Sequence, residues 1–204
     1  MSSVRLAVVA ILIPAALVLG GCGSSSSSSS STTAASTTKS ASAATTCTKA
    51  NLSLLSAGKL TVGTDKPAYP PYFDSDTPSN GKGFESAVAY AIAKQLGFSA
   101  AEVTWTTVPF NSSYAPGPKK FDFDINQISI TPPRAKRVDF SEPYFTAPQA
   151  VVALNGSGAD GATSLADLAK TKIGVQVGTT SLDAANATIQ PSAQPQVFND
   201  SNDV

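Results

Sequence analysis

The sequence predicts an α/β fold whose sheet runs parallel, and three neighbouring stretches carry that prediction. Leu60-Thr-Val-Gly63 reads as a short strand ending in a turn at Thr64-Asp65. Phe84, Val88, Ile92 and Leu96 recur every four residues, which marks one face of an amphipathic helix closed by Gly97. Val103, Trp105 and Thr107 alternate with Thr104 and Thr106, as a strand does. A strand, a helix and a strand with connections of this length form a βαβ unit, which requires parallel strands.

The later elements follow the same grammar. Residues 121–130 read as another strand, and 149–154 as a further apolar strand before a glycine-rich break at 156–161. Ser164-Leu-Ala-Asp167 has a serine cap and an acid in the first turn of a helix. Ile173-Gly-Val-Gln-Val177 reads as a strand, and Gly178-Thr179-Thr180 turns into a helix over 181–189, stopped by Pro191. Gln196-Val-Phe198 starts one more strand ahead of the polar run Asn199-Asp-Ser-Asn-Asp203.

The N-terminus reads as an export signal. Arg5 precedes the apolar stretch 6–19, which is short for a transmembrane helix and interrupted by Pro14. Leu19-Gly-Gly-Cys22 resembles a bacterial lipobox, in which small residues let a signal peptidase approach and the cysteine thiol takes a diacylglyceryl group. The plainer alternative is an ordinary signal peptide with an incidental cysteine. Residues 23–46 are almost entirely Ser, Thr, Ala and Gly, a composition that cannot bury a core and behaves as a spacer. Cys47 is then the one cysteine left to the exported domain, an odd count for that compartment.

Composition excludes several functions. The chain has 14 basic and 14 acidic residues among 204, so it lacks the basic surface that nucleic acid demands. It has no histidine, which removes the commonest acid–base group, the Ser-His-Asp triad and most zinc sites. No metal site and no cofactor are expected. After Arg5 only Arg134 and Arg137 remain to grip an anion with two parallel hydrogen bonds.

Thr131-Pro-Pro-Arg134-Ala-Lys-Arg137-Val-Asp-Phe-Ser-Glu-Pro-Tyr144 is the densest candidate site. Two prolines after a strand fix a rigid turn, and Arg134 follows in the first turn of a short helix, where its guanidinium suits a carboxylate. The plainer reading makes both arginines surface residues paired with Asp139 and Glu142. Asp65-Lys-Pro-Ala-Tyr69-Pro-Pro-Tyr72-Phe73 lies past the carboxyl end of the first strand, where open α/β sheets bind ligands. Its plainer reading is a proline-stiffened loop whose aromatics pack on the domain; Phe110 alone would be a core phenylalanine. Gly178-Thr179-Thr180 opens a helix, whose free N–H groups favour anions or need only an ordinary Thr cap.

Six stretches in order resemble the family 3 extracellular solute-binding proteins, the polar amino-acid receptors of ABC importers. They are Leu60-Thr-Val-Gly-Thr-Asp65, Tyr69-Pro-Pro, Gly83-Phe84, Ile128-Ser-Ile-Thr-Pro-Pro-Arg134, Val138-Asp-Phe-Ser-Glu-Pro-Tyr144 and Gly174-Val-Gln-Val-Gly-Thr-Thr180. The resemblance implies a two-lobed, periplasmic-binding-protein-like fold of type II that closes on a ligand. It implies that Arg134 grips the ligand α-carboxylate, with Ser129 near carboxylate and amino group and Thr180 reaching the carboxylate from the second lobe. Gln127 would supply a backbone contact to the amino group, Tyr69 and Phe110 would sandwich the side chain, and Asp65 would meet its distal polar end.

The organisation expected is a signal peptide over 1–22 with lipidated Cys22, a linker over 23–57, a first lobe over 58–148, a hinge strand over 149–155 and a partial second lobe over 156–204. The second lobe and its crossover back to the first are expected to be incomplete, because the family's acid for the ligand ammonium falls past Val204. Tyr114-Ala-Pro-Gly-Pro118 interrupts a segment that is helical in the family. The partners implied are an amino acid, an ABC permease and the membrane, the last through the lipid alone, for a monomer on the extracytoplasmic face. Two alternatives stand beside this: a non-transporting truncated product, and a dehydratase or peptidoglycan-cleaving enzyme on the same fold. Such an enzyme would need Glu85, Glu142 or Asp65 as its acid.

Overall fold

The computed structural model describes residues 48–204. The export signal, Cys22, most of the spacer and Cys47 lie outside the described residues. Among the described residues no helix is long and apolar enough to cross a membrane.

The first sheet has three parallel strands: β1 (Leu60–Thr64), β2 (Val103–Thr107) and β3 (Phe123–Asp124). β1 lies in the middle, with Leu60 opposite Val103 and Val62 opposite both Trp105 and Phe123. Every residue of β1 is buried, as expected of a parallel strand covered on both faces. The predicted βαβ unit is therefore present, with α1 (Phe84–Gln95) as its crossover helix.

The face that α1 buries is not the one its large apolar residues mark. Glu85, Ala89 and Ala93 are buried together with Ser86, whereas Phe84 and Ile92 are each 39% exposed. The buried row is offset by one position from Phe84, Val88 and Ile92. Small side chains at Ala89 and Ala93 fit beneath the helix beside Phe73 and Val62, and Phe84 is left beside the aromatic rings of Tyr144 and Phe145. Gly83 leads into α1 at φ +90, and a Cβ there would sit 2.5 Å from the Tyr72 carbonyl oxygen and 2.6 Å from the Phe73 Cα.

The folded part begins earlier than the predicted linker boundary at residue 57. Leu52 and Leu54 pack against the core, the Leu55 N–H donates to Asp122, and Lys49 forms a 2.5 Å ion pair with Glu102. Three leucines among small polar residues are too weak a signal to reveal this from sequence.

β3 is shorter than the predicted strand over 121–130. Its pairing extends one residue at each end, through Asp122 N–H to the Thr61 carbonyl and Ile125 N–H to the Gly63 carbonyl. Gln127 then takes φ +48, a left-handed conformation that ends any strand.

Two one-turn helices, α2 (Phe110–Ser113) and α3 (Pro132–Ala135), close the first lobe, and α4 (Leu165–Leu168) opens the second. Ser164 and Asp167 form the predicted reciprocal cap: the Ser164 hydroxyl accepts from the Asp167 N–H at 3.3 Å and the Asp167 carboxylate from the Ser164 N–H at 2.9 Å. β4 (Gly174–Gln176) pairs in parallel with β5 (Gln196–Phe198). Between them α5 (Thr180–Ala184) widens into a π turn over Ala185–Ile189.

The predicted hinge strand over 149–154 is not formed. Val152 is 95% exposed and Leu154 82%, and these residues line an open groove of about 1040 Å³ instead of a ladder. A strand needs a neighbour to take its N–H and C=O groups, and none of the described strands lies alongside.

Asp124 on β3 has both carboxyl oxygens buried and without a hydrogen-bond partner. Burial first, and then the charges of Glu85 and Asp65, push its carboxyl up from 3.8 to about 8. The native chain thus holds this proton up to about pH 8, whereas the unfolded chain releases it near pH 4. The native state binds more protons between those limits, so stability falls as pH rises through that window.

Two outcomes follow from these contacts. Gly83→Ala is expected to lose more than about 2 kcal/mol in chemical denaturation, since it adds a left-handed strain to a clash with backbone. Asp124→Asn is expected to flatten the decline of stability between pH 5 and 8, which otherwise reaches at most about 1.4 kcal/mol per pH unit for one group. An unchanged slope in urea melts across that range would remove Asp124 as its source.

Candidate functional site

The carboxyl ends of all three strands of the first sheet open on the same place. β1 delivers Asp65, β2 leads through Pro109 to α2, and β3 leads through Gln127 and Ser129 to α3. This is where ligands bind in open α/β sheets. The carboxyl end of β4 meets them from the second lobe through Val177 and Gly178.

Arg134 is the centre of this meeting. Pro132 and Pro133 take the first two positions of α3, where a missing N–H costs nothing, and so place Arg134 third. It is only 7% exposed. Its Nη1 donates to the Ser129 carbonyl and its Nη2 to the Gly178 carbonyl, each at 2.8 Å. The guanidinium carbon lies 4.4 Å from the Tyr114 ring centre and 5.4 Å from that of Phe110. Among the described residues the ion pairs are Lys49–Glu102 and Lys66–Asp76, so Arg134 has carbonyls and ring faces around it but no carboxylate. The reading that pairs it with Asp139 and Glu142 at the surface fails, because Arg134 is buried while both acids are exposed.

Three further contacts join the lobes here. The Tyr114 hydroxyl donates to the Gly178 carbonyl at 3.1 Å, and the Asn111 side-chain amide to the Val177 carbonyl at 3.3 Å. The Ser129 and Thr180 hydroxyls lie 3.3 Å apart. Gly178 sits at φ +72, and a Cβ on it would fall 2.3 Å from the Asn111 Oδ1, so only glycine permits this approach. The helix cap is Thr179, whose hydroxyl accepts from the Leu182 N–H at 3.3 Å. That leaves the Thr180 hydroxyl to face Ser129 and Gln149.

The remaining expected residues are placed as follows. Asp65 accepts from the N–H groups of Lys66 at 2.7 Å and Phe110 at 3.2 Å. Burial pushes its carboxyl above the usual value, those two N–H groups pull it down, and the charge of Asp200 raises it again. Tyr69 is 38% exposed, and its hydroxyl donates to the Asn202 side chain. Phe110 packs edge-on against Tyr114, with ring centres 5.7 Å apart. Gln127 gives both its N–H and its side-chain amide to Glu85. An ammonium needs an acceptor, so a backbone contact at Gln127 would run through its carbonyl.

Sequence reasoning missed Asn111, Tyr114, Gly178 as a contact point, Asp200 and Asn202. Tyr114 carried a signal: it opens the Ala-Pro-Gly-Pro interruption, which does stop α2 after one turn and leaves the ring on Arg134. Among the described residues no group of three or more metal-ligating side chains could hold an ion.

Known proteins share this arrangement of sequence. Residues 60–198 match the bacterial extracellular solute-binding proteins, family 3. An arginine-binding periplasmic protein of Mannheimia haemolytica is 38% identical over 117 residues, covering 56% of this chain and 44% of the relative. The arginine-binding extracellular protein ArtP of Bacillus subtilis (strain 168) is 33% identical over 135 residues, covering 66% and 50%. The chain thus spans about half the length of these relatives. A solved periplasmic binding protein of Salmonella typhimurium, described for its high arginine specificity, superposes with a TM-score of 0.52 at 30% identity, covering 70% of this chain and 59% of that one. With its parallel α/β lobe and the match over 60–198, the chain belongs to the bacterial extracellular solute-binding proteins, family 3.

Proposed function

We propose that the protein is a receptor that captures a polar amino acid outside the cytoplasm and delivers it to an ABC importer. The observation that carries this reading is Arg134, a buried cation at the junction of two lobes with no carboxylate beside it among the described residues. A ligand α-carboxylate would supply the missing charge, with the Ser129 and Thr180 hydroxyls on either side. Contacts from both lobes would make ligand binding favour the closed state, which a permease can then recognise.

Asp65 favours a ligand with a cation at its far end. Asp200 lies near enough to raise the pKa of both Asp65 and Tyr69, so this side of the cleft concentrates negative charge. The arginine named for three similar proteins fits that chemistry. Tyr69 and Phe110 would flank the ligand side chain, and the Gln127 carbonyl would meet its ammonium.

The catalytic alternative has little support. Glu85 is 1% exposed, and its carboxylate oxygens are already occupied by Gln127 and Tyr144. No metal or cofactor enters the reading.

The rest of the organisation belongs to the same proposal. Export by residues 1–22, a lipid on Cys22 and a spacer would hold a monomeric receptor at the outer face of the membrane. The acyl chains would contribute roughly 0.8 kcal/mol per buried CH₂.

Titration of the full chain with L-arginine tests the ligand site. Arg134→Ala is expected to weaken binding by about 3–5 kcal/mol, because a desolvated carboxylate is left unpaired. Asp65→Asn is expected to reduce the preference for L-arginine over L-glutamine. A wild-type chain that binds no amino acid, or an Arg134→Ala variant of unchanged affinity, overturns the reading. Cys22→Ser is expected to move the protein from the membrane to the soluble fraction of expressing cells, and continued membrane retention would remove the lipid anchor.

A further inference from the structure

We propose that Glu85 is a positioning residue that holds the carboxylate-binding turn from behind; the inference rests on the receptor reading above. Glu85 is the second residue of α1, and it faces the sheet instead of water at 1% exposure. Its Oε1 accepts from the Gln127 N–H at 2.9 Å and from the Tyr144 hydroxyl at 2.5 Å. Its Oε2 accepts from the Gln127 side-chain amide. One carboxylate therefore pins both ends of the segment 127–144, and that segment carries Ser129, the Pro-Pro turn and Arg134.

The placement has a consequence for the cleft. Gln127 sits at φ +48, a left-handed residue between the end of β3 and α3. Such a conformation is strained for a side-chain-bearing residue and persists only where its surroundings hold it. Two residues on, the Ser129 carbonyl accepts from Arg134 and its hydroxyl faces Thr180. A shift at Gln127 would thus move both ligand groups together.

Stability alone does not explain a carboxylate at this position. Glu85 has no ion-pair partner among the described residues. Burial raises its pKa, and the hydrogen bonds from Tyr144 and Gln127 lower it only in part. Such a group is costly to bury, and a neutral or apolar residue of similar volume would usually serve a core as well or better. What the carboxylate provides, and an apolar residue cannot, is acceptors for donors on both sides of the Arg134 turn.

Glu85→Gln keeps the size and replaces one acceptor with a donor. Tyr144→Phe leaves Glu85 in place and cuts the downstream tie. Each is made in the full chain and read in two ways at a temperature where it is folded: by L-arginine titration, and by the amide shifts of Gln127 and Ser129 without ligand. Glu85→Gln is expected to weaken L-arginine binding roughly tenfold or more, as loss of a supporting group does at other preorganised sites, and to move both amide signals. Tyr144→Phe is expected to weaken binding several-fold with a smaller amide change. A folded Glu85→Gln variant with wild-type affinity and unmoved amides overturns the proposal. If that variant does not fold, wild-type affinity in Tyr144→Phe overturns it. If the wild-type chain binds no amino acid, the receptor reading falls; the ligand-free amide shifts then decide the role of Glu85, and unmoved signals overturn it.

Discussion

A guanidinium removed from water with no carboxylate beside it among the described residues is the constraint on which the junction of the lobes depends. Arg134 could not be buried at 7% exposure unless its donors found acceptors and its faces found polarisable neighbours. The main-chain carbonyls of Ser129 and Gly178 supply the acceptors, and the rings of Tyr114 and Phe110 supply the faces. Each demand fixes a local feature. The Pro-Pro turn delivers the arginine, the arrest of α2 after Ser113 delivers Tyr114, and the missing side chain of Gly178 lets its carbonyl come close.

How legible this was depended on whether a residue's role is local. The βαβ unit, the reciprocal cap of Ser164 and Asp167 and the short helix holding Arg134 follow from spacing and turn chemistry, which act over a few residues. The buried face of α1 was misread because large apolar residues dominate a periodicity argument, while close helix–sheet packing selected Ala89 and Ala93. The apolar run at 149–154 carries the composition of a strand, but a strand is a relation between segments. Tyr114, Asn111 and Gly178 could not be connected from sequence, because more than sixty residues separate the contacts they make.

The polar interior of the first lobe divides the charges between two sides of one turn. Arg134 projects from the turn into the junction, whereas Glu85 and Asp124 lie behind it with no basic side chain paired to them among the described residues. Burial pushes both acids toward their neutral forms, and their mutual proximity pushes Asp124 further. A core built for stability alone would have avoided these acids. Their location under the segment that carries the candidate site connects the cost to the site, in keeping with the way local rules fail at functional positions.

The choice of carbonyls as partners for Arg134 bears on how a ligand could enter. A carboxylate side chain in that position would form a charge-assisted pair that an incoming carboxylate could displace only at equal cost. A carbonyl is a neutral acceptor, whereas a ligand carboxylate brings an opposite charge and two oxygens for a bidentate pair with the guanidinium. A ligand carboxylate arriving at Arg134 would therefore gain on exchange with the Gly178 carbonyl, while the Ser129 carbonyl on the first lobe could keep its donor. Because the exchanged partner belongs to the second lobe, the same step would replace a direct lobe-to-lobe bond with one made through the ligand. On the proposed receptor reading, closure and occupancy would then both depend on this one guanidinium, as suits a receptor whose closed form is its signal.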